Sequence, residues 1–242
     1  SSSQGFLPPR MTTVQRNNIT SPAQGLTIYN TDLKYLEVFN GVRWLNSTSL
    51  SSTDVYSPAT GQIRMDRNLG AKQVATNSYD ADSYGDYYQW GRLKDGHQCR
   101  YSLVTSTASK NDVPYSGKLI VPGYEWRVPQ NGRLWQGVAG INNPCPSGYR
   151  LPTETELNNE RLTWSIQDYQ GAFASVLKLP AAGWREFGGG VYNAYYSSYY
   201  WSSTVHSGGV NIRGLGFYVG VNSAAIGNYA PSYAAPVRCI MD

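Results

Sequence analysis

The chain is poor in charge, in histidine and in cysteine. Only 15% of its 242 residues are charged, with 2 histidines and 3 cysteines. Disordered segments combine high charge with low hydrophobicity, so low charge with 13% aromatic residues points to a folded chain. The net charge of +4 is dispersed, and no Lys/Arg run forms the basic footprint of a nucleic-acid binder. No apolar run approaches the roughly 20 residues of a membrane helix, so no direct membrane insertion is expected.

The catalytic inventory is equally thin. Two histidines, His97 and His206, exclude a metal site built from three or more imidazoles. A Ser–His–Asp triad would have to use one of them, and the nucleophile-elbow pattern Gly-x-Ser-x-Gly is missing. Gly188-Gly189-Gly190 is not followed by Lys-Ser/Thr, so it is no phosphate loop. Glu154, Glu156 and Glu160 could pair as carboxylates, but they sit at a helix start, where acidic residues serve the cap and dipole. The expectation is a non-enzyme without cofactor or metal. Asp80, Asp82 and Asp86 could offer oxygens to calcium but read first as a solvated acidic loop. Cys99, Cys145 and Cys239 lack metal-finger spacing, and an odd count allows at most one internal disulfide. Cys99 beside His97 reads as a partly buried free thiol rather than a metal ligand.

What the chain has in abundance is tyrosine (20), tryptophan (7) and glycine (25), a composition of strands and turns. Residues 1–48 read as a small module. Thr12 or Thr13 caps a short helix through Asn17. Strands follow at 25–30 and 35–39, and Asn40-Gly41 is a hairpin turn leading to Val42-Arg43-Trp44-Leu45. So small a unit buries little and must lean on the larger domain or on copies of itself. Residues 46–53 read as a Ser/Thr-rich linker.

The second domain spans 54–242. Thr153 with Glu156 forms a capping box for a helix to about Leu162. Strands are expected at 62–65, 177–179, 199–202, 214–219 and 237–240. Few regular elements in a long aromatic chain predict an irregular α+β fold.

Six ordered blocks carry a family resemblance: Met65 to Ala71, Tyr84 to Arg92, Asn142 to Glu154, Leu179 to Gly183, Tyr200 to Ser203 and Val237 to Cys239. Residues 55–242 thereby resemble the Fibrobacter succinogenes major paralogous domain, found in secreted proteins of Bacteroidota and their phages. Gly5 to Thr12 with Gly25 to Thr31 resembles a short module found before such domains and in fibre-like surface proteins. The resemblance implies a C-type-lectin-like fold, a secreted, cell-surface or virion-tail location, and a Cys145–Cys239 disulfide that leaves Cys99 over. Gly148 to Glu156 is also similar to formylglycine-generating enzymes, but the C-terminal cysteine pair of those enzymes is missing. The calcium-lectin motifs Glu-Pro-Asn and Trp-Asn-Asp are missing too.

Residues 192–233 further resemble the variable region of proteins diversified by retroelements, which is biased toward Tyr, Asn, Ser and Gly. Tyrosine offers rigid contact area at low entropic cost, while Ser, Gly and Asn supply adaptable hydrogen bonds. The candidate ligand-binding residues are Tyr192, Asn193, Tyr195, Tyr196, Tyr199, His206, Asn211, Tyr218, Asn222, Asn228 and Tyr229. Tyr200 and Trp201 read as core. If 214–219 is a regular strand, Leu215, Phe217 and Val219 face inward and Tyr218 outward. Arg67, Arg92, Arg127, Arg150, Arg185 and Arg238 read as internal stacking and ion-pairing residues.

The expected function is adhesion through that surface to a glycan or protein receptor. The alternative is a structural subunit in which the same surface assembles a fibre or trimer.

Overall fold

A computed structural model describes residues 7–39, 41, 44–46, 53–220 and 222–242. The chain divides into two compact units, Ser1–Asp54 and Val55–Asp242. Strands and a few short helices make it α+β.

The first unit holds β1 (Arg10–Met11), α1 (Thr13–Asn17), β2 (Thr27–Asn30), β3 (Tyr35–Phe39) and β4 (Trp44–Asn46) in one sheet of order β1-β2-β3-β4. Thr12 caps α1 in a box with Gln15. The Asn30 side chain accepts from the amides of Asp32 and Leu33 and so shapes the β2–β3 turn. Its amide donates to Glu37, which also receives Arg16. Asn40, Val42, Arg43 and the 47–52 part of the expected linker lie outside the described residues.

The second unit has many very short strands. β5 (Asp54–Ser57) and β6 (Gln62–Met65) join β10 (Tyr149–Arg150) and β17 (Ile240–Met241) in the order β10-β17-β6-β5. β7 (Tyr88–Gln89), β11 (Trp184–Arg185), β12 (Val191–Tyr192) and β16 (Ala234–Ala235) form a second sheet, and β8 (Val104–Thr105) pairs with β9 (Leu119–Ile120). The longest strands, β13 (Ser197–Val205), β14 (Ile212–Tyr218) and β15 (Ala225–Tyr229), make an antiparallel sheet of their own. Helices α2 (Glu154–Arg161) and α3 (Tyr169–Ala174) complete the unit. Thr153 and Glu156 form the expected capping box on α2.

Two strand expectations are corrected. Residues 177–179 form no strand, since the Leu179 amide donates to the Ala172 carbonyl and the Leu177 carbonyl accepts from Arg238. Their leucines are buried, so the apolar signal was real but records interior position rather than a ladder. The strand expected at 237–240 shrinks to Ile240–Met241.

With so little regular ladder, side chains satisfy the buried backbone. The indoles of Trp90, Trp126 and Trp201 donate to the carbonyls of Ser202, Trp90 and Tyr88 at 2.9, 2.7 and 2.7 Å. Arg238, wholly buried, binds Asn68 Oδ1 and the Leu177 carbonyl, and burial pushes its pKa down to about 10. Arg64 meets Glu160 at 2.8 Å with both side chains out of solvent. The internal role expected for Arg92, Arg127 and Arg150 is visible in their pairs with Asp95, Asp112 and Glu156. Cys145 and Cys239 are joined by a disulfide across 94 positions of sequence.

Candidate functional site

The β13–β14–β15 sheet sorts the tyrosines. Opposite partners share a face, and the register sets Tyr199 against Gly216, Trp201 against Gly214, and Gly214 against Gly227. A strip of three glycines therefore runs along one face. The Tyr229 ring lies over it and stacks on Tyr199, with centroids 4.0 Å apart and planes at 9°. A Cβ at Gly216 or Gly227 would run into the Tyr229 hydroxyl.

Tyr199 is thereby removed from the candidate surface: it is 1% exposed and belongs to the core. Tyr229 is half-buried beneath the same stack, and burial raises its pKa well above the ordinary phenol value. The opposite face holds Tyr200, Leu215 and Phe217, all buried with Leu157 and Trp164. Leu215 and Phe217 face inward as expected, but Tyr218 shares the glycine face with the buried Ile212, so both faces of β14 are interior and Tyr218 is exposed at the strand's end rather than by parity. Val219 instead lies past the end of β14 and is exposed, so strand alternation does not reach it.

The remaining candidates separate toward the two ends of this sheet. His206 and Asn211 belong to the β13–β14 turn, where the His206 amide donates to the Asn211 carbonyl and His206 Nδ1 accepts from Gly208. Asn228 sits near that end, opposite Arg213, and accepts a 2.7 Å bond from it. Tyr192, Asn193, Tyr195, Tyr196, Tyr218 and Asn222 gather toward the other end, since Ser197 pairs with Tyr218. The seven residues of β14 separate the ends, about 20 Å at strand rise.

The Tyr195 end is built by one glycine and one turn. Gly183, at φ +70°, brings its backbone against the Tyr192 carbonyl and the Ala194 amide so closely that a Cβ would overlap both. Its amide donates to Ser197, and the Tyr195 amide donates to Ala181. The Ser197 amide closes a turn onto the Asn193 carbonyl. Asn193 and Tyr195 take the left-handed region at φ +53° and +79°. That conformation is natural for asparagine but unusual for a bulky residue. It leaves Tyr195 and Tyr196 54% and 66% exposed.

Tyr195 lines two clefts. One of about 680 Å³ is bounded by Asn77, Tyr79, Tyr169, Phe173 and Tyr196 and has no charged lining residue. The other, about 610 Å³, is bounded by Arg100, Tyr101, Val104, the Gly188–Gly190 backbone and Tyr84. The Arg100 guanidinium lies over the rings of Tyr84 and Tyr87, 5.2 and 5.8 Å from their centroids. Tyr79, Tyr84, Arg100, Tyr169 and Phe173 fall outside the 192–233 stretch. Composition bias could not find them, because they converge only through the fold.

His97 and the helix carboxylates are engaged by neighbouring groups. His97 is buried, its Nδ1 bonded to Asp95 at 2.6 Å and its Nε2 accepting from the Gln89 amide. Burial pushes its pKa down to about 4, against the pull of Asp95. Cys99 is exposed rather than partly buried. Glu154, Glu156 and Glu160 meet Arg213, Arg150 and Arg64. Burial alone would raise Glu156, but bonds from Arg150 and Thr153 hold it down at about 2. Asp80 caps a 3-10 turn at Ala81–Ser83, and Asp82 meets Lys72. Among the described residues no group of three or more His, Cys, Asp or Glu could hold a metal, and no helix is long and apolar enough to cross a membrane.

No curated protein and no solved structure matches the chain. Residues 1–62 match the family model described as "Phage tail like trimerisation region", which ties the N-terminal part of the chain to the structural elements of tail-like fibres.

Proposed function

We propose that the chain is a non-catalytic receptor-binding protein of a phage tail fibre or extracellular fibre. Its N-terminal region gathers three copies, and its second unit presents a ligand surface centred on Tyr195 and Tyr196. The observation that carries the reading is the Tyr195 turn. A bulky aromatic held at φ +79° and more than half exposed is a conformation that persists only where surrounding structure fixes it, as at ligand-contact sites. Here it separates two open clefts walled by aromatic rings, hydroxyls and amides. Such walls suit sugars or a protein loop by stacking and adaptable hydrogen bonding.

The second unit is, in this reading, a C-type-lectin-like domain of the Fibrobacter major paralogous type. The Cys145–Cys239 bond supports that, as do the buried family blocks around Trp90, Trp201 and Cys239. The engaged histidines and carboxylates favour recognition over bond-breaking. The exposed members of 192–222 are the positions at which retroelement diversification would change specificity without disturbing the core.

Two measurements test this. Sedimentation of the full chain should give a trimer, and a monomer at micromolar concentration would remove the fibre reading. The double variant Tyr195→Ala with Tyr196→Ala should lower binding to receptor-bearing cells or arrayed glycans at least tenfold while keeping the thermal midpoint. Unchanged binding would remove this surface from the proposal.

A further inference from the structure

The two clefts that share Tyr195 differ in one respect. The larger has no charged lining residue. The smaller has a single charged one, Arg100, and no carboxylate. Asp82, in the turn next to the Ala81 carbonyl that Arg100 approaches, meets Lys72 instead.

Arg100 is also held in place. Its guanidinium covers the rings of Tyr84 and Tyr87, and a 3.4 Å contact from Nη2 reaches the Ala81 carbonyl. Among the described residues no ion pair engages it. A stacked guanidinium has less rotamer freedom to lose, and its planar N–H edge matches carboxylate and sulfate oxygens. Gly189, at φ +74°, keeps the facing loop free of side chain where a Cβ would strike Val104.

We infer that the cleft on the Arg100 side of Tyr195 takes an acidic sugar, its charged group at the Arg100 guanidinium and its ring against the neighbouring aromatics. The uncharged cleft on the other side of Tyr195 takes an adjoining neutral sugar. The inference rests on the surface reading above and adds the class of ligand.

The test uses the full chain on paired immobilised oligosaccharides of the same backbone. In each pair one member is neutral and the other is acidic, carrying a uronic or sialic carboxylate in some pairs and a sulfate in others. The unaltered chain should retain at least one acidic member about tenfold more tightly than its neutral partner, the scale of a charge-assisted hydrogen bond. Arg100→Gln should erase that preference while leaving neutral binding within about twofold. Arg100→Lys should restore only part of it for the carboxylate.

The carboxylated and sulfated arms identify which acid is preferred. Equal retention of acidic and neutral members, or an acid preference that survives Arg100→Gln, overturns the inference. If Tyr195→Ala still abolishes neutral binding, the surface reading stands without it. If acidic binding survives Tyr195→Ala, the surface reading itself is wrong.

Discussion

The first unit is braced by one polar network around very little apolar matter, whereas the second is braced by rings. In the first, Glu37 receives both Arg16 and Asn30, and among its described residues the buried hydrophobics are Ile28 and Leu45. In the second, three hydrophobic clusters enclose Trp90, Trp126, Trp135 and Trp201 with buried tyrosines. A unit of some fifty residues buries a modest share of its surface and is marginal alone, so the proposed assembly of copies would add to its stability. A unit about three and a half times as long closes its own core and can leave tyrosines outside. Stability of the two should therefore respond to different perturbations.

The largest effect is expected in the second unit. Replacing Cys145 and Cys239 together by serine opens a loop of 94 positions, which is worth about 4.7 kcal/mol in the chain-entropy model. Calorimetry should show the transition of the second unit falling by roughly 10 °C while that of the first stays. A shared fall would break the comparison by showing that the units melt together.

Next, Glu37→Gln should cost the first unit about 2 kcal/mol, because the charge facing Arg16 is lost and one of the two accepting oxygens becomes an NH2 donor opposed to the Arg16 or Asn30 donor. Sedimentation should show weakened assembly, and calorimetry an unmoved second transition. An unchanged association constant would mean that the polar network is not what holds this unit in shape.

The smallest effect is a pH slope inside the second unit. His97 stays neutral in the fold to about pH 4 because it is buried, whereas unfolded it takes a proton near 6.5. Its contribution is therefore full above 6.5 and is lost as pH falls. Glu125 runs the other way. Burial raises its carboxyl to about 7 from 4.5, so its contribution is full below 4.5 and is lost as pH rises.

The two offset between pH 5 and 7, and the unaltered chain should change by less than about 1 kcal/mol. His97→Gln removes one side of the balance, so urea unfolding of that variant should show stability rising on acidification. A variant that still loses stability on acidification would show that other groups govern this window.

Much of the fold was legible locally. Thr12 with Gln15 and Thr153 with Glu156 are capping boxes because the relevant atoms lie within four residues of chain. The strands Tyr35–Phe39 and Gln62–Met65 fall where their residue types put them. Helix α3 was missed, although Asp168 caps it by accepting from the Gln170 and Gly171 amides. Six residues containing a glycine give too little periodicity to read. The candidate site was half legible: the Tyr/Asn/Ser bias points to Tyr195 and Tyr196, which line the clefts, but not to Arg100, Tyr79 or Phe173, which come from three distant segments.

The sequence by itself determined the abundance of tyrosine, the caps, the α+β character and the scarcity of histidine and charge. These follow from residue type and short-range spacing. Only the tertiary structure decided which tyrosines are inside. Tyr195 and Tyr199 are the same residue four positions apart. One is turned outward at φ +79° by the Asn193 turn, and the other is pinned under Tyr229 by three glycines on neighbouring strands. Strand register and a close backbone approach at Gly183 set that difference, and both are relations between segments that local sequence does not contain.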